Sequence, residues 1–331
     1  MENLTEKVMD EAYQQILPYL PGGWRELLAS LPQQELAALE ELRLKPEQPV
    51  LARFHQREAF IGGDGYLEQD EALAPRLTRE EFRKTVLLVT DSSFYALEEE
   101  LRRGYITLPG GHRAGITGRA VLEKGVVRTL REISGINMRL ARHIPGLALP
   151  LLPWLFNQQG DLQQTLLVAP PRAGKTTMLR DIACLLSAGA YGSPLTCGIV
   201  DERSELAALR QGLPQLPIGL RSDVLDGCPK AEGLMMLLRS MSPQVLICDE
   251  IGRPEDVTAL QEAAHAGVRV IASAHGADVG ELTRRPALES LLTAKAFTRI
   301  VFLSRRLGPG TIEAVVNEQM RPLFSVGGDY V

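Results

Sequence analysis

Residues 169–177 read Ala-Pro-Pro-Arg-Ala-Gly-Lys-Thr-Thr, or APPRAGKTT. An apolar run over residues 165–168 precedes this stretch, and a helical pattern that begins at Met178 follows it. A strand, a glycine-containing loop, the letters GK[ST] and a helix, in this order, are the context of a phosphate-binding P-loop. The backbone N–H groups of such a loop and the N-terminus of the following helix attract anions. The stretch therefore predicts a site for nucleotide phosphates.

Several residues of this loop have an expected role in binding phosphate or Mg²⁺. The lysine ammonium of Lys175 can reach the β- and γ-phosphates of ATP, and the hydroxyl of Thr176 can ligate Mg²⁺. Gly174 allows the backbone to approach the phosphates closely. Ala169 stands where the motif usually has its first glycine, and alanine accepts positive φ less readily than glycine. The predicted phosphate-binding residues are Pro170, Pro171, Arg172, Ala173, Gly174, Lys175, Thr176 and Thr177.

The totals favour a globular protein that buries a sizeable core. The chain has 331 residues, of which 45% are hydrophobic and 23% charged, and its formal net charge is -5. A negative net charge does not favour binding to nucleic acid. A local basic stripe on the surface would be needed for such binding. The N-terminus is charged and polar, and the most apolar stretch is shorter than the roughly 20 residues that span a bilayer. We expect a cytoplasmic protein that reaches a membrane only through a partner.

The second half alternates strand and helix patterns, which predicts an α/β domain with a mainly parallel, doubly wound sheet over residues 165–331. The last two strand patterns, around Gly308 to Gly310, predict an antiparallel hairpin at the sheet edge. The predicted strands are Thr165–Ala169, Thr196–Asp201, Gln244–Asp249, Arg269–Ala274, Arg299–Leu303 and Thr311–Val316.

The first half mixes both kinds of pattern and carries no catalytic motif. Glu40 to Phe54 alternates apolar and polar residues on both sides of KPEQP, which predicts two strands joined by a proline turn. Thr78 to Val89 begins with TREE, a capping-box pattern, and continues as a helix. We predict a smaller α+β domain over residues 1–143 and a proline-rich linker over residues 144–164.

Acidic residues follow two apolar strand patterns of the second half. Val245 to Cys248 leads into Asp249 and Glu250, the Walker B pattern. In open parallel sheets ligands lie at the carboxyl ends of the strands, so this pair is expected beside the P-loop. Asp249 can hold Mg²⁺ through a water, and Glu250 can orient or deprotonate the attacking water. Glu202, in the run VDER, is a second candidate for that role, or else an acid that favours a helix start.

A histidine and several arginines complete the list of candidates. His275 ends the strand pattern IASAH, where a polar residue beside the γ-phosphate can sense the state of the nucleotide. P-loop ATPases also stabilise the transition state with a positive group, from the same or another subunit. The candidates are Arg203, Arg221, Arg239 and Arg253 in the second half, and Arg113, Arg119, Arg131 and Arg139 in the first.

The order of APPRAGKTT, VDER, VLICDE and ASAHG resembles the secretion-type ATPases of type II and type IV secretion and pilus systems. Over about Glu40 to Val316 the chain also resembles the stage III sporulation AA family of endospore-forming bacteria. The segments GGHRAGITGRAV and GLRSDVLDGCPKAEGLMMLLRSMSPQVLICDEIG carry much of this second likeness. The resemblance implies a RecA-like P-loop NTPase domain behind a smaller N-terminal domain.

The same resemblance implies an activity and partners. We expect an ATPase that uses ATP and Mg²⁺, assembles with itself as a ring, in the form of a hexamer, and docks on the membrane-anchored sporulation protein AB. Its expected role is to energise a channel between mother cell and forespore. Two other readings are a RecA-like nucleic-acid-binding ATPase and a nucleotide-gated scaffold without turnover. The chain has no aromatic-rich basic stretch for single strands, and Glu250 argues against the scaffold.

Overall fold

The computed structural model describes residues 12–54, 57–91 and 97–327. The chain divides into two units, residues 1–142 with 210–215 and residues 143–209 with 216–331. Among the described residues, no helix has the length and apolar character needed to cross a membrane.

The first unit contains a seven-stranded antiparallel sheet in the order β4-β3-β2-β1-β7-β6-β5. Its strands are β1 (Leu39–Leu44), β2 (Leu51–Phe54), β3 (Glu58–Ile61), β4 (Leu67–Glu68), β5 (Tyr105–Thr107), β6 (Arg113–Glu123) and β7 (Val126–Arg139). Its helices are α1 (Gly22–Ala29), α2 (Gln33–Ala38), α3 (Arg79–Val89) and α4 (Glu98–Arg103), with 3₁₀ turns at Leu17–Tyr19 and Pro109–Gly111.

Two local predictions for this unit are confirmed. β1 and β2 pair in antiparallel fashion across the KPEQP turn, with Leu42 opposite Ala52. The side chain of Thr78 accepts a hydrogen bond from the backbone N–H of Glu81, and the carboxylate of Glu81 accepts one from the backbone of Thr78. This reciprocal capping box satisfies two N–H groups that α3 would otherwise leave without a partner.

The second unit contains an eight-stranded sheet in the order β12-β9-β13-β14-β8-β15-β16-β17. A separate short pair, β10 with β11, falls almost entirely in residues 210–215, which belong to the first unit. From β8 onward the strands are β8 (Thr165–Ala169), β9 (Cys197–Asp201), β10 (Leu209–Arg210), β11 (Leu213–Pro214), β12 (Ser222–Asp226), β13 (Val245–Cys248), β14 (Arg269–His275), β15 (Arg299–Ser304), β16 (Thr311–Asn317) and β17 (Pro322–Ser325). The helices are α5 (Leu152–Leu155), α6 (Lys175–Ala188), α7 (Lys230–Ser240), α8 (Pro254–His265), α9 (Val279–Thr283) and α10 (Pro286–Thr293).

The sheet is parallel from β12 to β15, and the β15–β16 and β16–β17 pairs are antiparallel. The predicted hairpin of β15 and β16 is therefore confirmed, but the sheet edge on that side is β17. β17, and β12 at the opposite edge, were not predicted from the sequence. β17 begins with a proline and β12 has only partly buried or exposed side chains, so neither strand has a clear apolar pattern.

Burial on both faces explains why the central strands read as continuous apolar runs. Along β8, Leu167 and Ala169 face one core with Met178 of α6, whereas Leu166 and Val168 face the other core, to which α7, α8 and α10 contribute. All five residues of β8 are buried. Parallel sheets covered by helices on both sides require such sequences, and this packing fixes where each strand ends.

The segment predicted as a linker, residues 144–164, is folded into the second unit. It contains α5, and Leu151, Leu152 and Leu162 are buried in the same core as Leu167. The carboxylate of Asp181 in α6 accepts hydrogen bonds from the backbone N–H groups of Gly146 and Ala148, at 3.0 and 2.7 Å. Proline marks the absence of regular structure here, but the leucines between the prolines supply core contacts.

His112 is a buried histidine of the first unit. Its Nδ1 accepts a hydrogen bond from the backbone N–H of Ala141 at 3.0 Å, and its Nε2 lies 2.9 Å from Oε1 of Gln15. These partners fit a neutral ring that carries its proton on Nε2. Burial, reinforced by the charge of Arg142, lowers the pKa of His112 to about 4. Between about pH 4 and pH 6.5 the ring is therefore neutral in the folded state and protonated in the unfolded chain.

We predict that the stability of the first unit falls as the pH drops from 6.5 through 4. The unfolded histidine binds a proton at about pH 6.5. The contribution of the neutral His112 ring to the free energy of unfolding is therefore fully present above that pH, and it amounts to about 3 kcal/mol. Urea unfolding, followed by the fluorescence of Trp24 in a Trp154→Phe chain, measures it. His112→Gln should remove this part of the pH dependence, whereas His265→Gln, at an exposed position, should retain it. Equal slopes in all three chains would contradict the prediction.

Candidate functional site

The carboxyl ends of four neighbouring parallel strands meet at one edge of the second sheet. β8 ends at Ala169, which pairs with His275 at the end of β14. β13 lies next to β14 and ends at Cys248, directly before Asp249 and Glu250. β9 lies on the other side of β13 and ends at Asp201. The predicted site residues therefore share one edge because of the strand register.

The P-loop joins β8 to α6. Ala169 is the last residue of β8 and has the extended backbone of its pairing with His275. Alanine therefore fits where the motif usually has its first glycine. The left-handed positions of the loop are Arg172, with φ 62°, and Gly174, with φ 87°. A Cβ on Gly174 would also lie 2.7 Å from the backbone nitrogen of Gly310, so glycine is needed there for two reasons.

The ammonium of Lys175 lies under this loop. Lys175 is 5% exposed, and its Nζ donates hydrogen bonds to the carbonyl oxygens of Ala169 and Pro170 at 2.9 and 3.2 Å. Its third partner is Nδ1 of His275, at 3.1 Å. Burial lowers the pKa of Lys175, and the carboxylates of Asp249 and Glu250 oppose that shift. The cation thus has partners that phosphate oxygens could replace.

Asp249 connects the P-loop helix to the neighbouring strands. Its Oδ2 accepts a hydrogen bond from the hydroxyl of Thr176 at 2.5 Å. Its Oδ1 accepts bonds from the hydroxyl of Ser273 and from the backbone N–H of Glu250, the latter at 2.9 Å. A hydroxyl and a carboxylate side by side are oxygen ligands of the kind that Mg²⁺ prefers, directly or through water. The residues present therefore fit a magnesium ion at Thr176 and Asp249.

His275 links Lys175 to Glu250. Because the ammonium of Lys175 only donates, Nδ1 of His275 is the acceptor and Nε2 carries the ring proton. Nε2 then donates to Oε1 of Glu250 at 2.7 Å. The other carboxylate oxygen of Glu250 pairs with the guanidinium of Arg203. The structure thus connects four predicted residues, with Arg203 as the arginine among them, in a continuous polar chain.

The backbone of Glu250 is in the left-handed region, with φ 51°. Such a conformation costs a non-glycine residue on the order of 1–3 kcal/mol, and it is common at functional sites. The backbone N–H of Glu250 is held by Oδ1 of Asp249 and lies 3.0 Å from the hydroxyl of Ser273. Ser273 was not predicted to have a role. Its signal in the sequence was the single polar side chain within the buried run of β14.

Glu202 has different partners. Its carboxylate pairs with the ammonium of Lys230, which is 7% exposed, and lies 3.7 Å from the guanidinium of Arg253. The preceding Asp201 holds the loop that follows β9. Its two carboxylate oxygens accept hydrogen bonds from the backbone N–H groups of Glu205, Leu206, Ala207 and Ala208. The contacts of Asp201 therefore order a loop and those of Glu202 go to two cations, whereas Glu250 is connected through His275 to the P-loop lysine.

The candidate arginines of the first unit lie on its sheet. Arg139 lies 3.6 Å from the buried carboxylate of Glu41, and the guanidinium of Arg113 stacks 3.4 Å from the centroid of the Tyr105 ring. Arg119 lies 3.4 Å from Glu132, and its side chain is 74% exposed.

Comparisons with known proteins agree on the kind of protein. The family model described as "Sporulation stage III, protein AA" matches residues 10–323. The chain is 45% identical to stage III sporulation protein AA of Bacillus subtilis (strain 168) over 315 residues, which cover 95% of this chain and 98% of that protein. It is also 28% identical over 181 residues to the uncharacterized protein ycf45 of Cyanidium caldarium, covering 51% of each.

A solved structure shows the fold. The X-ray structure of the ATPase DotB of Yersinia pseudotuberculosis matches with a TM-score of 0.53 at 17% sequence identity. The match covers 80% of this chain and 70% of that chain. The predicted fold class is confirmed: a RecA-like P-loop fold with a smaller N-terminal sheet domain before it.

Proposed function

The chain belongs to the family of stage III sporulation protein AA, and on that premise we propose that it is an ATP-hydrolysing motor. The observation that carries the proposal is the meeting of Lys175, Thr176, Asp249 and Glu250 at one sheet edge. Together they offer a cation for phosphates, two oxygen ligands for Mg²⁺ and a carboxylate for water. These are the parts that phosphoryl transfer by a P-loop enzyme requires.

We assign the steps of binding to the loop and the helix that follows it. The N–H groups of residues 170–177 and the ammonium of Lys175 would hold the β- and γ-phosphates. Thr176 would ligate Mg²⁺ directly and Asp249 through water, and the bound ion would neutralise charge on the phosphates. Since Thr176 and Asp249 already lie in hydrogen-bonding contact, little rearrangement is needed to place the two oxygens around one ion.

We assign the handling of water to Glu250. In the structure its two carboxylate oxygens are held by His275 and Arg203. Phosphate oxygens that bind Lys175 would compete with Nδ1 of His275 for that ammonium, and the change would pass through the imidazole to Glu250. His275 would thereby sense the γ-phosphate, and Glu250 would accept a proton from the attacking water. Glu202 is the weaker candidate, because Lys230 and Arg253 hold its carboxylate.

The wider role follows from family membership and stays a proposal. We propose that the motor energises a channel between mother cell and forespore, as a ring homo-oligomer, a hexamer, docked on the membrane-anchored sporulation protein AB. In this proposal residues 1–143 form the N-terminal α+β domain and residues 165–331 the ATPase domain, and residues 144–164, predicted as a linker, contribute leucines to the core of the ATPase domain. The competing proposal, a nucleotide-gated scaffold, shares the binding residues but needs no base.

Lys175→Ala should weaken ATP binding about 100-fold or more. The variant removes the ammonium that lies under the loop at hydrogen-bonding distance from Ala169 and Pro170, and the charge-assisted bonds that it would make to phosphate are lost with it. Isothermal titration calorimetry with ATP and Mg²⁺ measures the affinity. Lys84→Ala, at an exposed lysine of α3, is the control and should bind as the wild type does. Unchanged affinity in Lys175→Ala would refute the phosphate site.

Glu250→Gln should bind ATP and fail to hydrolyse it. Glutamine has the size of glutamate and keeps one acceptor oxygen, but it cannot take a proton from water, and general-base catalysis contributes about 10²- to 10⁴-fold. Single-turnover hydrolysis by rapid quench measures the chemical step directly. Glu202→Gln is the matched comparison and should retain the larger part of the rate. The reverse ranking of the two variants would move the base to Glu202.

An exposed arginine of one subunit should complete the site of another. Arg119→Ala should slow hydrolysis by about 10³-fold or more while sparing ATP binding. Mixing Arg119→Ala with Lys175→Ala subunits should restore turnover, because a mixed ring contains sites with both residues intact. Arg79→Ala, at a first-unit arginine that is 86% exposed, is the control and should stay active alone. Mixed rings that form but recover no activity would exclude an arginine acting in trans.

A further inference from the structure

A cavity of about 450 Å³ lies in the second unit beside the P-loop. One wall comes from the residues before α5 and from α5 itself, and the other from the β15–β16 connection, β16 and β17. The cavity is rich in apolar side chains: Leu147, Pro150, Trp154, Leu307, Ile312 and Phe324. Its volume falls within the range of about 300–1,000 Å³ that is typical of small-molecule sites.

Gly310 belongs both to the cavity wall and to the surroundings of the P-loop. Its backbone N–H donates a hydrogen bond to the carbonyl of Ala173 at 2.8 Å. On its other side, a Cβ on Gly310 would lie 3.0 Å from Cδ1 of Leu147. Gly310 has φ 88°, which favours glycine, and a side chain there would also press against Leu147. One backbone segment, which contains Gly310, therefore separates the cavity from the P-loop.

The opposite wall is anchored to the helix that follows the P-loop. Asp181 of α6 is 2% exposed and accepts hydrogen bonds from the backbone N–H groups on both sides of Leu147. The carbonyl of Trp154 accepts a bond from Arg299 of β15 at 2.8 Å, and the Trp154 ring lies 5.7 Å from that of Phe324. Both walls are thus fixed with respect to the residues proposed to bind phosphate.

The chemistry of the walls favours contact with the flat face of an aromatic ring. Leu307 lies at the rim of the cavity and is 78% exposed, so its side chain is accessible to a ring that enters the cavity. The hydroxyl of Thr311 is already bonded to the carbonyl of Gly308 at 2.7 Å and to the N–H of Leu307 at 3.2 Å. The side chains therefore offer stacking and apolar contact in place of a charged or strongly polar recognition site.

We propose that this cavity binds the adenine base of the nucleotide whose phosphates occupy the P-loop, an inference that rests on the proposed ATP site. A base joined to those phosphates through one sugar must lie near the loop, and this cavity shares Gly310 with the loop's surroundings. Leu147 and Leu307 contact the base, and Trp154 contributes its aromatic face. The segment at residues 144–164 is then part of the nucleotide site.

Two probes separate the base from the phosphates. Isothermal titration calorimetry compares ATP with inorganic tripolyphosphate, which has the phosphates but no base. A Leu147→Ala, Leu307→Ala chain should bind ATP about 10-fold more weakly than the wild type, from lost apolar contact, and should bind tripolyphosphate unchanged. Leu220→Ala, at a fully exposed leucine outside the cavity, is the control and should bind both as the wild type does.

Fluorescence gives a second readout that needs no cavity variant. The chain has two tryptophans, and Trp24→Phe leaves Trp154 as the only one. ATP should change the Trp154 emission, and tripolyphosphate at saturation should not. A wild-type chain that binds neither ligand would overturn the proposed ATP site itself. A chain that binds both with equal affinity, with Trp154 emission unmoved by ATP, would overturn the base cavity and leave the phosphate site intact.

Discussion

The buried ammonium of Lys175 is the interaction on which the site depends. A charge that is 5% exposed must be compensated, and here two backbone carbonyls at the β8–loop junction and one imidazole nitrogen do so. This requirement fixes the loop geometry around Gly174 and the tautomer of His275. In the proposed mechanism it would also link phosphate binding to Glu250, because the imidazole of His275 bonds both Lys175 and Glu250. An anion that replaces one partner of the ammonium changes the hydrogen bonding of the next residue.

The sheet provides the frame for this interaction. Helices cover both faces of the parallel strands, so the strands must be apolar along their length, and polar chemistry is confined to their ends. Ala169 and His275 share one register position, and Asp249 and Glu250 follow the next strand over. The short distances among Thr176, Asp249 and Ser273 are a consequence of that alignment. The site is thus built from strand ends, and the loops only complete it.

Much of this could be predicted from the sequence because the central strands are apolar on both faces and the P-loop has a recognisable order. β8 was predicted with its observed ends, and β9 and β13 to within one residue at each end. Edge strands β12 and β17 could not be predicted, since strands at the edge of a sheet are not buried on both sides. The core contacts of residues 144–164 were hidden by prolines, which mark turns and give no information about burial.

The pattern of apolar strands did not predict the roles of individual acidic residues. Glu202 and Glu250 both follow apolar runs. The fold shows that Glu202 pairs with Lys230 and Arg253. It shows that Glu250 instead bonds His275. Ala169 raised a doubt from the motif alone, which its extended backbone removes. Long-range partners of this kind depend on which strands become neighbours. A local residue pattern does not contain that information.

Phosphate release from ATP by the purified wild-type chain, over a range of protein concentrations, tests the central claim most directly. The account predicts release that requires Mg²⁺, stops on adding EDTA and is absent from the Lys175→Ala chain prepared in the same way. A chain that binds ATP with Mg²⁺, yet releases no phosphate at any protein concentration, would contradict hydrolysis and identify a nucleotide-gated scaffold.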